Sequence, residues 1–476
     1  MTDDLAYFES EDFKKILQQY EDSVKSGHPV YMDADDLADI ADYYHYEGRM
    51  DEADEAINLA LQFNPDAVGP ILYRAREALA LNDFDTAWAY AERLQTTDAT
   101  EYLYLKGEIL ICEGKVEEAD NMFRQHFQEI SPDDHLDYVY DVASLYSEYN
   151  QYDKSFEWMA RSQGDDSDDF KELMARTLFG LGKYKDSERL FNELIDHNPY
   201  SNKYWNALAS AQFMCEDYGA SVTSSEYAIA IDPNDTESIL TKANGLFRLE
   251  NYEEALSYYE RYSDMIDNDD FSYLHQGTCL ISLGRFEEAI KPLKKAEELA
   301  QGDSQMLSEI YQALAFAYNA LRQPENALNY VDKINDLKCD SLDMEVVRGH
   351  ILMSNEHFDE AEDIFKQAIA SSGNIPQTMF RIIISLYDNH FVKATYELFK
   401  KYLEHAVDDN WVDGYAYMAH CCWDLHKYDE FLKYLKIACE KNPHETKCVL
   451  SKLFPDDLKV EDYYDYMCKQ LNKDQP

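Results

Sequence analysis

The chain has 476 residues, with 43 Lys and Arg against 94 Asp and Glu, so its formal net charge of −51 repels a polyanion over the whole surface. No basic run offsets that field, which excludes direct nucleic-acid binding. No stretch approaches the ~18 apolar residues of a membrane span, and the N-terminal MTDDLAYFESEDF opens on acids where a secretory signal carries Lys or Arg. The nine cysteines are odd in number and mostly far apart, so no disulfide framework is expected and a reducing cytoplasm is the expected setting.

In chain order, residues 1–33 are predicted to hold a capping helix, with Phe13, Leu17, Tyr20 and Val24 on one face. From residue 34 one motif returns twelve times: a small residue, then a second one twelve positions later. The first series is Ala41, Ala75, Gly107, Ala143, Ala175, Ala209, Ala243, Gly277, Ala315, Gly349, Ile382 and Ala419. The second is Ala53, Ala87, Ala119, Ser155, Ser187, Ser221, Ala255, Ala289, Ala327, Ala361, Ala394 and Phe431, at intervals of 32 to 38. A repeat of this length cannot bury its own apolar face and must stack on its neighbours, which overrides the prior of about three domains for this length.

Residues 34–300 carry repeats 1 to 8. In repeat 7, Ile239, Ala243, Leu246 and Leu249 make the stripe of a first helix, capped by Thr236. Tyr252, Ala255, Leu256, Tyr259 and Tyr262 make a second, antiparallel one, and the small residues lie where the two cross closely. Gly48, Asn82, Gly114, Asn150, Gly182, Gly284 and Asn389 mark turns that end on a left-handed residue. The aromatic after the turn (Phe84, Tyr152, Tyr184, Tyr218, Tyr252, Phe286, Phe358, Phe391, Tyr428) is predicted to plug the wedge between pairs. Acid pairs such as Glu253-Glu254 and Glu287-Glu288 fall in the first turn of second helices, at the positive end of the macrodipole.

Pro292 inside a helix and the long interval from Ala289 to Ala327 predict a bend near 292–305, separating residues 34–300 from repeats 9 to 12 in 301–443. Ile382 and Phe431 make the last repeats the least regular. Residues 444–476 are expected to form C-terminal capping helices, with Val449, Leu450 and Leu453 against the last repeat and a further helix over 461–471.

These features resemble the tetratricopeptide repeat, a helix-turn-helix unit with small residues at its eighth and twentieth positions and often a closing proline. Pro65, Pro199, Pro233 and Pro443 match that proline, and Trp205, Leu208 and Ala209 match the opening aromatic, leucine and small residue. The likeness covers roughly residues 34 to 443. It implies an all-α, right-handed superhelical solenoid of antiparallel helix pairs whose first helices line a concave face and grip extended peptides.

Carried over by position, that face holds Tyr104, Tyr140, Arg176, Phe179, Asn206, Phe213, Leu240, Asn244, Phe247, Arg248, Leu274, Gln312, Phe316 and Asn319, with repeats 4 to 9 the strongest set. Asn206 and Asn244 suit a peptide backbone, Phe213, Phe247 and Phe316 suit apolar side chains, and Arg176 and Arg248 suit a carboxylate. The family's clamp for a chaperone's C-terminal carboxylate is not matched: Asn244 fits, but Leu240 and His275 stand where lysine and asparagine are needed.

No HExxH, Walker loop, Cys-x-x-Cys or Gly-x-Ser-x-Gly occurs. His420-Cys421-Cys422 is the densest potential ligand cluster, yet adjacent residues on a helix point about 100° apart and cannot converge on one ion. About thirty residues remain at each end, too few for the separate catalytic domain that enzymes of the family carry. The expectation is a non-catalytic interaction scaffold without cofactor, binding a basic or neutral protein segment and neither nucleic acid nor membrane. The alternative is an architectural protein that self-associates through its acidic surface or C-terminal repeats.

Overall fold

The computed structural model describes residues 7–8, 10–26, 32–95, 98–162, 164–337, 342–405, 410–455 and 458–473; Cys339 lies outside them. The described residues are helical, with no strand among them, and divide into two compact units, Met1–Asp217 and Tyr218–Pro476. The division falls inside repeat 6. Each unit is a succession of antiparallel helix pairs, such as Ala34–Tyr46 with Met50–Phe63 in the first and Thr236–Arg248 with Tyr252–Ser263 in the second.

One backbone device ends the first helix of every repeat. A residue of positive φ stands five positions before the second helix's small residue: Gly48, Asn82, Gly114, Asn150, Gly182, Glu216, Glu250, Gly284, Arg322, Glu356, His390 and His426. The next N–H reaches back across the turn, as Arg49 N to Tyr44 O at 2.7 Å and Asn251 N to Leu246 O at 2.9 Å, closing a Schellman motif. Half of these positions carry a side chain that disfavours the left-handed conformation. Glu250→Gly is therefore expected to stabilise the second unit by about 0.5–1 kcal/mol. Thermal unfolding of the full chain checks it, and a melting temperature below that of the parent would show the Glu250 side chain to be needed.

This device resets repeat 11. His390, not Asn389, is left-handed, with φ 65°, so the facing pair is Ile383 and Thr395 rather than Ile382 and Ala394. Ile383 and Thr395 are fully buried, and Ala394 is exposed. The shift leaves Phe391 at the surface beside Phe358, ring centroids 5.6 Å apart. In repeat 12 the bulk of Phe431 is accommodated in the core against Trp423, at 5.1 Å.

Pro292 lies within an unbroken helix, Phe286–Leu299, and the long interval that follows is taken up by a first helix of 17 residues, Ser304–Ala320. A single apolar core continues past this point from Ala243 to Ile351. At the N-terminal end, Glu11–Ser26 buries Phe13 and Tyr20 against Leu37, Ile40 and Tyr44, but Val24 is exposed rather than on the packed face. At the other end, Pro443–Leu450 buries Leu450, and its Glu445 carboxylate accepts from the N–H groups of Gly414 (2.8 Å) and Ala416 (3.3 Å). A side chain of the cap thus satisfies the open N-terminus of the last repeat's first helix. Tyr463–Lys473 adds Tyr463 and Met467 to the same core.

The closing prolines have partners in the next repeat. Arg93 and Arg261, each 28 residues on, donate to the carbonyls of Pro65 and Pro233.

Candidate functional site

Of the expected surface residues, Tyr140, Arg176, Phe179, Asn206 and Phe213 fall on the first unit and Leu240, Asn244, Phe247, Arg248 and Phe316 on the second. In the second unit they stand on Thr236–Arg248 and Ser304–Ala320, with Asp270–Ser282 between them in sequence. Asn244 is held from behind: the hydroxyl of Tyr259, a fully buried residue of the second helix, donates to Asn244 Oδ1 at 2.7 Å. That bond uses the carboxamide's acceptor and orients its amide nitrogen, the end that donates to a carbonyl. One turn before it, Leu240 is half-buried against the core.

Phe247 is half-buried and meets Tyr252, His275 and Tyr259 edge-on, with centroids at 5.5, 5.4 and 6.5 Å. His275 Nδ1 donates to the carbonyl of Phe271 at 2.9 Å and its ring lies 4.1 Å from that residue's ring. Burial pushes its pKa below the ordinary 6.5, so a neutral imidazole forms the wall beside Phe247.

Arg248 is bound to Tyr218, whose hydroxyl oxygen accepts from Nε and Nη2 at 3.2 and 2.9 Å. The guanidinium also lies 5.2 Å from that ring's centroid. Phe316 is 55% exposed, its ring 6.1 Å from Phe286. Asn319, one turn further along, has its Oδ1 held by Ser354 Oγ at 2.9 Å and Asn355 Nδ2 at 3.0 Å. Leu274 is buried in the core.

In the first unit Tyr140 is exposed on His135–Glu148. Arg176 is exposed but already paired, Nε to Glu172 Oε1 at 3.1 Å, and Glu172 also accepts from Lys203. The half-buried Phe179 packs edge-on to Tyr184 at 5.3 Å, and Phe213 is half-buried too. Asn206 is buried and donates Nδ2 to Asn202 Oδ1 at 3.1 Å.

Tyr259, His275, Tyr218, Ser354 and Asn355 were not among the expected residues, because they act on the face from second helices or neighbouring repeats. Their signal in the sequence is positional: Tyr259 lies four residues past the small Ala255, where a side chain points back at the first helix.

Cys421 and Cys422 are fully buried, and burial pushes the Cys422 thiol up to about 12, far from a reactive thiolate. His420 packs beside Tyr387 at 5.6 Å. Among the described residues no group of three or more His, Cys, Asp or Glu is placed to hold a metal ion, and no helix is long and apolar enough to cross a membrane.

A tetratricopeptide-repeat family model matches residues 37–67, and the model described as anaphase-promoting complex, cyclosome, subunit 3 matches residues 204–296. No curated protein matches the chain. Among solved structures it is similar to MamA from Desulfovibrio magneticus RS-1, at 18% identity over 37% of this chain and 96% of that one with TM-score 0.35. It is also similar to PilW, a type IV pilus biogenesis factor, at 17% over 45% and 100% with TM-score 0.38. The Cut9–Hcn1 APC/C hetero-tetramer matches at 15% over 78% and 73% with TM-score 0.35. With the small-residue register, the repeated Schellman turn and the two family models in agreement, this chain is a tetratricopeptide-repeat protein.

Proposed function

We propose that the chain is a non-catalytic scaffold that grips an extended segment of a partner protein, and that in the second unit Asn244 and Phe247 are the centre of the grip. The observation that supports this is the fixed carboxamide of Asn244 beside an aromatic wall. Tyr259 takes its acceptor side and leaves a donor for a backbone carbonyl, while Phe247 and the exposed Phe316 offer apolar contact. Asn319, held the same way in repeat 9, provides a second oriented carboxamide. Arg248 serves as a wall stacked on Tyr218 and not as a free cation. The match to a family described as a subunit of a complex accords with a part that works by holding other chains.

The net charge of −51 favours neutral or basic segments, since long-range attraction speeds encounter and is screened beyond ~8 Å at physiological salt. An array of extended peptides probed with the full chain tests the reading. Asn244→Ala is expected to weaken the bound peptides about tenfold, the loss of one desolvated hydrogen bond. Tyr259→Phe touches no peptide yet is expected to weaken the same ones several-fold by releasing the carboxamide. Unchanged binding of one peptide set by all three proteins would end the proposal.

A further inference from the structure

The capping helix meets the first repeat around a hollow of about 310 Å³. Two tyrosines line it, Tyr20 of Glu11–Ser26 and Tyr44 of Ala34–Tyr46, with ring centroids 6.2 Å apart and planes tilted by 54°. The two residues are only 5% and 2% exposed. Neither hydroxyl has a hydrogen-bond partner among the described residues, and unlike the sealed hydroxyl of Tyr146 both keep access to solvent. Packing thus fixes two phenols whose oxygen lone pairs the fold leaves unused.

The rim carries three carboxylates and two cations. Lys25 Nζ lies 3.0 Å from Glu21 Oε2, and Arg49 Nε donates to Glu52 Oε1 at 3.0 Å with its guanidinium 4.2 Å from the centroid of the Tyr44 ring. Both cations are therefore committed. Glu55, three residues past Glu52 on Met50–Phe63, makes no ion pair among the described residues, so the rim is one positive charge short. Burial pushes the Tyr44 phenol up to about 12, helped by Glu21, and raises that of Tyr20, helped by Glu55 and Glu52. Carboxylates therefore face both hydroxyls, which stay protonated at neutral pH. Val24, 56% exposed, is the aliphatic residue of the rim.

From the unpartnered hydroxyls of two buried tyrosines and the unpaired carboxylate we infer that this hollow binds a primary alkylammonium, its three N–H donors shared among Tyr20 Oη, Tyr44 Oη and the Glu55 carboxylate and its alkyl stem lying on Val24. Three compact donors match three acceptors, whereas rings 6.2 Å apart leave no slot for a planar guanidinium between them. A free aliphatic amine and the end of a lysine side chain share this chemistry. The hollow lies at the cap of the first unit, so its failure leaves the Asn244 grip untouched.

The test titrates the full chain calorimetrically at physiological salt with n-pentylammonium chloride, taking n-pentanol as the uncharged isostere and methylammonium as the ion without a stem. Pentylammonium is expected to bind at least tenfold more tightly than either. Glu55→Gln is expected to weaken it at least tenfold, and Tyr20→Phe with Tyr44→Phe, which keeps both rings packed, at least fivefold. Asp359→Asn, an equal charge change at an exposed position of the second unit, is the control and is expected to change affinity less than twofold. Lysine blocked at its α-amino and carboxyl groups distinguishes the sources: affinity equal to that of pentylammonium supports a lysine side chain, and a tenfold loss supports a free amine. Equal affinity for pentanol, equal weakening by the control, unchanged binding after the tyrosine substitutions, or no binding of pentylammonium would each overturn the proposal.

Discussion

Asp120→Ala is expected to destabilise the first unit by about 3 kcal/mol and lower its unfolding transition by roughly 10 °C. Asp120 is 1% exposed on Val116–Glu129, and both oxygens of its carboxylate accept hydrogen bonds. Oδ1 accepts from the indole of Trp158 at 2.9 Å, and Oδ2 accepts from Arg124 Nε at 2.7 Å and Lys154 Nζ at 3.3 Å. Trp158 and Lys154 belong to Tyr152–Met159, so the carboxylate ties the second helices of consecutive repeats. Its removal strands a fully buried indole N–H and takes one partner from each of two cations, Arg124 keeping Glu157 and Lys154 keeping Glu117 at 2.8 Å. Arg124 is 44% exposed and partly compensated by Glu157, which places the cost at the lower end of the range for breaking a buried pair. Asp120→Asn retains an acceptor for Trp158 and is expected to cost about half as much. Calorimetry of the full chain reads both, with hydrogen exchange over residues 116–159 locating the loss. An alanine variant that melts within 2 °C of the parent would show the network to be dispensable.

The registers of most repeats were legible because tight crossings demand small residues, and that demand is written directly into the sequence. Repeat 11 was not. Ile382 and Ala394 imitate the facing pair one position early, and Asn389 imitates its left-handed turn, whereas the backbone turns at His390. The turn residue carries no mark of its own at Glu216, Arg322 and Glu356, since the bond across the turn is made by main-chain atoms whatever the side chain. Lys242, which the sequence reading passes over, is 4% exposed, its ammonium held by Glu226 and the hydroxyl of Tyr258, both at 2.8 Å.

The division between units leaves no mark in composition or spacing, for the intervals on either side of Ser221 are both 34. Of the expected surface residues, Asn244 and Phe247 are half-buried and Phe316 is exposed, on the first helices where position puts them. Position did not show that Asn206 turns to its own helix or that Arg176 and Arg248 are already engaged, because those outcomes depend on Asn202, Glu172 and Tyr218.

Gly107→Ala is the second large effect, an expected loss of about 2 kcal/mol despite the gain in helix propensity. A Cβ at Gly107 would lie 2.8 Å from Phe123 Cε2 and closer still to Cζ, nearer than real Cβ atoms approach. Phe123 cannot retreat: it is fully buried among Tyr146, Trp158 and Tyr104, with ring centroids at 6.0, 6.5 and 6.4 Å. The facing residue is aromatic in other repeats too, Phe191 opposite Ala175 and Tyr259 opposite Ala243, so an aromatic alone does not require glycine. What requires it is the path of the ring over the crossing point. A double-mutant cycle with Phe123→Leu isolates this, because the smaller side chain vacates the space that the new methyl needs. The two changes are expected to couple favourably by more than 1 kcal/mol in urea unfolding of the full chain. Additive costs would mean that the methyl is accommodated by moving the helices apart. In that case the small-residue register would be a preference of the sequence and not a steric condition of the fold.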